Sequence, residues 1–270
     1  MGIAATAALN ALIDEMAAIS EGRPPQASPI AILLPEKDEE DSYIGPALGP
    51  AEGQSFIIEY KDAAGQASTR RITVISIRSA ADGSPALYAK CHERKAMRNF
   101  RADRIVSCID YDGEVFSDVN SFLVELFGAE RFFKSAPDDR TPDHRKRWNK
   151  MRQVIQPHAV LLAALSASDD NRRRSETTEI LNSCAHTLEA ALLEPTRQEA
   201  KMISAFIRRL EPDRAAIAAA LDDIYSRGPA EVTNLLIGAI AVMDADGKRD
   251  EREVELINNL AVELTGMPIA

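Results

Sequence analysis

Near residue 117 the apolar residues of this 270-residue chain change their spacing. Before that point they recur at every second position, and after it at every third or fourth. Side chains alternate faces along a strand and return about every 3.6 residues around a helix, so the change divides the chain into a strand-rich part and a helical part. In the first part Phe56, Ile58 and Tyr60 alternate with Ile57, Glu59 and Lys61, up to a turn at residues 62–66. A β-branched run, Ile72 to Ile77, ends at Ala81-Asp82-Gly83-Ser84. Leu87, Ala89 and Cys91 then share one face, and Tyr88, Lys90, His92 and Arg94 the other. Phe100 to Ile109 reads as further strand before the turn Asp110-Tyr111-Asp112-Gly113. About five short strands joined by tight turns predict a small antiparallel barrel.

The second part opens with Phe122, Leu123, Leu126 and Phe127 on one helical stripe. Residues 131–156 are polar and basic, with Pro137, Pro142 and the sole Trp148, and read as a connector. Helices are predicted over 157–168, 176–193, 196–210, 213–226, 229–243 and 250–264. Residues 235–243 are apolar all round, which predicts a central buried helix. Ahead of the strands, residues 4–19 predict a short helix that stops at Gly22 and Pro24. Residues 22–52, rich in proline and carrying the acidic run 36–41, predict a flexible linker. The expected organisation is a helix and linker (1–52), a β-barrel domain (53–130), a basic connector (131–156) and an all-α domain (157–270). The fold class is α+β, multidomain.

The formal net charge is −10, which excludes a uniformly basic nucleic-acid binder. The basic stretch 131–156 sits between acidic flanks, so any contact with a polyanion must be local. Three cysteines, Cys91, Cys108 and Cys184, lack any CxxC spacing and predict buried thiols in a reducing cytoplasm. No apolar run suffices for a transmembrane helix, and Asp14 and Glu15 argue against a signal peptide. The formal myristoylation pattern Met1-Gly2 with Thr6 falls in an Ala-rich helix and is discounted. His92, His144, His158 and His186 are scattered outside any triad or metal motif, and His186 predicts a core or boundary residue. No phosphate-binding glycine loop and no HExxH occurs, so no enzyme is expected.

The most informative stretch is Tyr88 to Arg104. It holds Lys90, Arg94, Lys95, Arg98, Arg101 and Arg104 against Glu93 and Asp103. Across a hairpin near Lys95-Ala96, Lys90, Arg94, Arg98 and Arg104 would converge on one rim. Guanidinium forks there would grip phosphate or carboxylate, with Tyr88 and Phe100 stacking on a base. The alternative is an edge-strand guard in which these arginines pair with local carboxylates. The series Leu87-x-Ala89-x-Cys91-x-x-Arg94-x-x-x-Arg98-x-Phe100-Arg101-x-Asp103-Arg104-Ile105 resembles the WYL domain family over about residues 54–118. Tyr60 and the Arg70-Arg71 pair belong to the same pattern. The Trp-Tyr that names the family falls near Pro85-Ala86, leaving Leu87. The resemblance implies an Sm-like, SH3-type barrel acting as a sensor of nucleotides or single-stranded nucleic acid. It implies ligand contacts at Tyr60, Arg70, Tyr88, Lys90, Arg94, Arg98, Phe100, Arg101 and Arg104. Residues 1–51 do not supply the winged helix-turn-helix that well-known relatives carry, so direct operator recognition is not expected.

Acidic residues punctuate the helices. Asp244-Ala245-Asp246-Gly247 to Glu253 fails as an EF-hand, since Val242 takes the first ligand position. Asp169 to Glu176 repeats the seven-residue separation of Asp246 to Glu253, which suggests an internal duplication. Residues 157–266 thereby resemble the tellurite-resistance TerB-like family, an all-helical bundle with acids proposed to gather divalent metal. Carried over, Asp169, Glu176, Asp246 and Glu253, with Asp250 as an extra ligand, would favour Ca²⁺, Mg²⁺ or Mn²⁺. Capping of helix N-termini is the competing role. Together these readings predict a non-enzymatic cytoplasmic sensor with an anionic ligand and an acidic module for metal or protein partners. The rival is a protein-interaction scaffold in a stress-response or anti-phage system, with no nucleic-acid ligand.

Overall fold

The computed structural model describes residues 7–35, 45–129, 131–133, 142–166, 174–245, 247, 249 and 251–269. In chain order these contain helix α1 (Ala7–Gly22), strands β1 (Ala47–Lys61), β2 (Ala67–Ser79), β3 (Pro85–Cys91), β4 (Ala96–Arg101), β5 (Ile105–Ile109) and β6 (Val115–Phe116), then helix α2 (Val119–Phe127). Helices α3 (Pro142–Leu165), α4 (Arg174–Ala190), α5 (Arg197–Arg208), α6 (Arg214–Arg227), α7 (Pro229–Asp244) and α8 (Glu251–Thr265) follow. The chain forms two compact units, residues 25–145 and residues 1–24 with 146–270.

In the first unit the strands lie in the order β4-β3-β2-β1-β5-β6, every neighbour antiparallel. The turns fall where Asp and Gly predicted them; at residues 80–84, for example, the Gly83 N–H donates to the Ala80 carbonyl at 2.9 Å, with a φ of 85° that suits glycine. The sheet does not close into the expected barrel. Among the described residues β4 and β6 remain its two edges, and β6 is only two residues long. Strand β1 starts at Ala47, inside the span read as linker. Its Gly49-Pro50 step sits among register shifts, where a strand tolerates proline.

One sheet face carries Phe56, Ile58, Ile72, Val74, Leu87, Ala89, Cys91 and Phe100, all buried against α2 and Phe133. Asp118 caps α2 by accepting from the Ser121 N–H at 3.0 Å, and Phe122 meets Phe56 edge-on at 5.2 Å.

The second unit is all helical. Helix α3 begins at Pro142, so the basic connector read from sequence is in large part helix. Trp148, Met151 and Ile155 give it an inward stripe that continues as Ala159 and Leu162. Pro157 lies inside this helix and has no N–H for the Gln153 carbonyl. Arg227 takes over, donating to Gln153 O at 2.9 Å and Val154 O at 2.8 Å. Helix α1 belongs to this unit: Leu9, Leu12, Ile13 and Met16 are in its core, and Arg23 Nη2 donates to the Ala163 carbonyl at 3.0 Å. Helix α7 runs close to α4, since a Cβ on Gly238 would lie 2.7 Å from Ser183 Oγ. It is not buried all round, because Ile237 is 62% exposed. His186, expected in the core or at its boundary, points outward beside Glu189. Among the described residues no helix is long and apolar enough to cross a membrane.

Candidate functional site

Strand register divides the predicted ligand residues between the two faces of the sheet. Directly paired residues share a face. Arg98 pairs with Ala89, and Phe100 with Leu87, which places both on the core face. Arg70 pairs with Ile58 and lies on the same face, almost wholly buried, with its Nε donating to Ser68 Oγ at 3.1 Å. Tyr60 and Phe100 are core residues, edge-on at 5.3 Å, and so are not a stacking platform. Arg101, three positions from Arg98, points to the opposite face. Lys90 pairs with Met97, the residue before Arg98, and so takes the face opposite Arg98; the rim on which Lys90, Arg94, Arg98 and Arg104 were to converge does not form.

Arg101 is matched locally, as the edge-guard reading expects. Its Nη2 lies 2.7 Å from Asp82 and 2.8 Å from Asp103. The Ser84 hydroxyl and then Arg101 hold the Asp82 carboxyl below the usual carboxylate range, and Arg101 does the same to Asp103. The nearby charge of Arg104 also favours ionised Asp103. Arg94 sits in the β3–β4 turn and donates to the Pro35 carbonyl at 2.8 Å.

The outer face of β2, β3 and β4 is where cations and an aromatic meet. Tyr88 pairs with Ser76 on one side and Asn99 on the other. The Arg78 guanidinium lies 4.6 Å from the centre of the Tyr88 ring, steadied by a 3.0 Å bond from Nε to Ser76 Oγ. Lys90 is two residues from Tyr88, between Thr73 and Met97. Alternation along β3 made Tyr88 and Lys90 readable, but Arg78 was missed. A register shift between Val74 and Ser76 leaves Ile75 as an extra residue, so counting by twos from Ile72 fails.

Farther along this face runs a buried polar chain. Tyr111 OH lies 2.8 Å from Ser55 Oγ, which accepts from Thr73 Oγ1 at 3.3 Å; Thr73 Oγ1 in turn lies 2.7 Å from His92 Nε2. Arg71 pairs with Glu93 at 2.6 Å and also donates to the Gln26 carbonyl at 3.0 Å. The segment read as a flexible linker is thus held against the sheet over residues 25–35.

In the helical unit the acids do not assemble a cation site among the described residues, where no group of three or more His, Cys, Asp or Glu could hold a metal ion. Asp169, Asp246 and Asp250 lie outside the described residues. Glu176 is buried; burial lowers the pKa of Arg23, and the charges of Glu211 and Glu176 oppose that shift. Glu253 is half-buried on α8. Asp244 is gripped by Arg249 at 2.7 and 2.9 Å, which lowers its pKa. A part-buried pair sits elsewhere: His158 Nε2 shares a 2.7 Å hydrogen bond with Glu231, and burial holds the imidazole below its ordinary value.

Residues 51–108 match the WYL domain family, a span from β1 into β5 that holds the whole outer-face cluster. The match does not extend into the helices. No curated protein matches the chain. A solved structure, the proteasome accessory factor B/C (PafBC) of Arthrobacter aurescens, aligns with 95% of this chain at 11% identity and a TM-score of 0.20, too loose to carry an argument about the fold. The chain spans 56% of that neighbour's length.

Proposed function

We propose that this is a regulatory protein whose WYL domain binds a nucleotide or single-stranded nucleic acid on the outer sheet face. The observation that carries the reading is Tyr88 bracketed by Arg78 and Lys90. A base would stack on the Arg78 guanidinium or take its place on the ring, while Lys90 reaches the phosphate. Arg101, already matched by two carboxylates, contributes less. The helical unit, acidic overall, serves as a module for a protein partner, and no chemical step is assigned to either unit.

Fluorescence anisotropy with labelled oligo-dT tests the reading. Tyr88→Ala is expected to weaken binding by about 5- to 150-fold, the range of one lost base–aromatic stack. Lys90→Ala should flatten the salt dependence by about 0.7 in log K per log salt, and Arg78→Ala should weaken binding with less change in that slope. Binding unchanged in all three variants would exclude this face. The scaffold reading predicts no oligonucleotide or nucleotide binding at all, with a protein partner in its place.

A further inference from the structure

Residues 25–35 form neither helix nor strand, and Pro25, Pro29 and Pro35 deprive them of backbone donors. They are nonetheless anchored along the WYL unit. The Gln26 carbonyl accepts from Arg71 at 3.0 Å, and Ser28 closes a local turn with Ile30. Pro29 Cβ lies 3.7 Å from where a side chain on Gly113 would begin, so the segment reaches the β5–β6 turn. It then returns to β2, where the Leu33 carbonyl accepts from the Thr69 N–H at 2.7 Å. This contact lies beyond the end of the β2–β3 pairing at Ile72 and Cys91, on backbone that β3 no longer covers. The last anchor is the Pro35 carbonyl, 2.8 Å from Arg94 Nη2.

Two of these anchors are guanidinium groups bonded to neutral carbonyl oxygens. A guanidinium can grip a phosphate through two parallel bonds and gains the attraction of opposite charges, whereas each carbonyl offers it one neutral oxygen, so the strap supplies the weaker acceptors. We propose that residues 25–35 are a displaceable internal competitor for the anionic ligand, an inference that rests on the ligand reading above. With the strap in place, Arg71 and Arg94 are occupied. Phosphates of the incoming ligand take the two guanidiniums, and the strap leaves, unbonding the Thr69 N–H. Arg71 keeps its Glu93 contact throughout and stays oriented for the exchange. The affinity observed for the intact chain is then the intrinsic one reduced by the fraction of molecules with the strap open.

The test uses the full chain and a fluorescein-labelled oligo-dT of about 20 nucleotides. Replacing residues 27–34 by an equal length of Gly and Ser is expected to tighten binding by about tenfold, corresponding to a strap open in about one molecule in ten. In the unaltered protein, saturating oligonucleotide should accelerate hydrogen exchange of the Thr69 amide. That second measurement decides the matter if the replaced chain does not fold. Equal affinity of the two proteins, or a Thr69 amide that stays protected in the complex, overturns the strap's role and leaves the ligand reading standing. Absence of binding in both proteins overturns the ligand reading and the strap with it.

Discussion

Gly238 offers a measurement in which two opposing effects are both sizeable. Glycine inside a helix costs about 1 kcal/mol relative to alanine, so Gly238→Ala on propensity alone would stabilise α7 by that amount. The close approach of α4 argues the other way. The new methyl would lie 2.7 Å from Ser183 Oγ, 3.3 Å from Ser183 Cβ and 3.1 Å from Leu162 Cδ1. Leu162 can rotate its terminal methyl, but Ser183 Cβ is fixed to the α4 backbone, so the helices must separate by a few tenths of an ångström. Overpacking of this kind costs about 1–3 kcal/mol. The net expectation is a loss of roughly 0–2 kcal/mol for the helical unit. A double-mutant cycle separates the terms. In a Ser183→Ala background the 2.7 Å contact is gone, and Gly238→Ala should cost about 1 kcal/mol less than in the parent. Urea unfolding followed by far-ultraviolet circular dichroism reads both. A Gly238→Ala protein stabilised by the full propensity gain, with no coupling to Ser183, would refute the helix spacing on which the reasoning depends.

Three other outcomes follow from single features. Burial lowers the pKa of His158 in the folded protein against the opposing carboxylate of Glu231, so the unfolded chain takes up that proton first as pH falls. The stability of the helical unit is thus full above about pH 6.5 and falls as pH drops from there toward the folded value. Thermal melts between pH 8 and 5 should show this loss, and His158→Gln should flatten it; an equal loss in the variant would reject the assignment. The three cysteines are buried, and burial pushes the Cys184 thiol up to about 12. A thiol reagent at pH 8 should label none of them quickly in the native protein and all three in denaturant, whereas rapid native labelling would contradict the packing. Arg101→Ala breaks ion pairs to two largely exposed carboxylates, so the sheet's melting midpoint should shift by no more than the equivalent of about 1 kcal/mol.

How far sequence reading reached can be judged from particular residues. Alternation placed Leu87, Ala89 and Cys91 inward and Tyr88 and Lys90 outward, because both faces of β3 follow a regular pleat. The helices after residue 174 lay close to their predicted positions, because each has its own apolar stripe and its own stop. Helix α3 was started too late. Pro157 reads locally as a helix boundary, and only the distant Arg227 side chain, which bonds the freed carbonyl, makes it tolerable. The destination of α1 was equally hidden, since its partners α6 and α8 lie some two hundred residues away along the chain. The expected rim of Lys90, Arg94, Arg98 and Arg104 is of another kind: Lys90 faces Met97, the neighbour of Arg98 in β4, so the pleat sends Lys90 and Arg98 to opposite faces, and only the pairing of β3 with β4 shows it. Barrel closure depends on which edges meet, and no local spacing encodes it.

The surplus residue in β2 has a consequence for how this sheet tolerates change. Removing Ile75 alone would return β2 to regular alternation, with Ser76 still opposite Tyr88 and Arg78 still on the outer face. The guanidinium would keep its place over the ring. A one-codon deletion at this point can thus leave the platform standing, because the strand there carries one residue more than its neighbour needs.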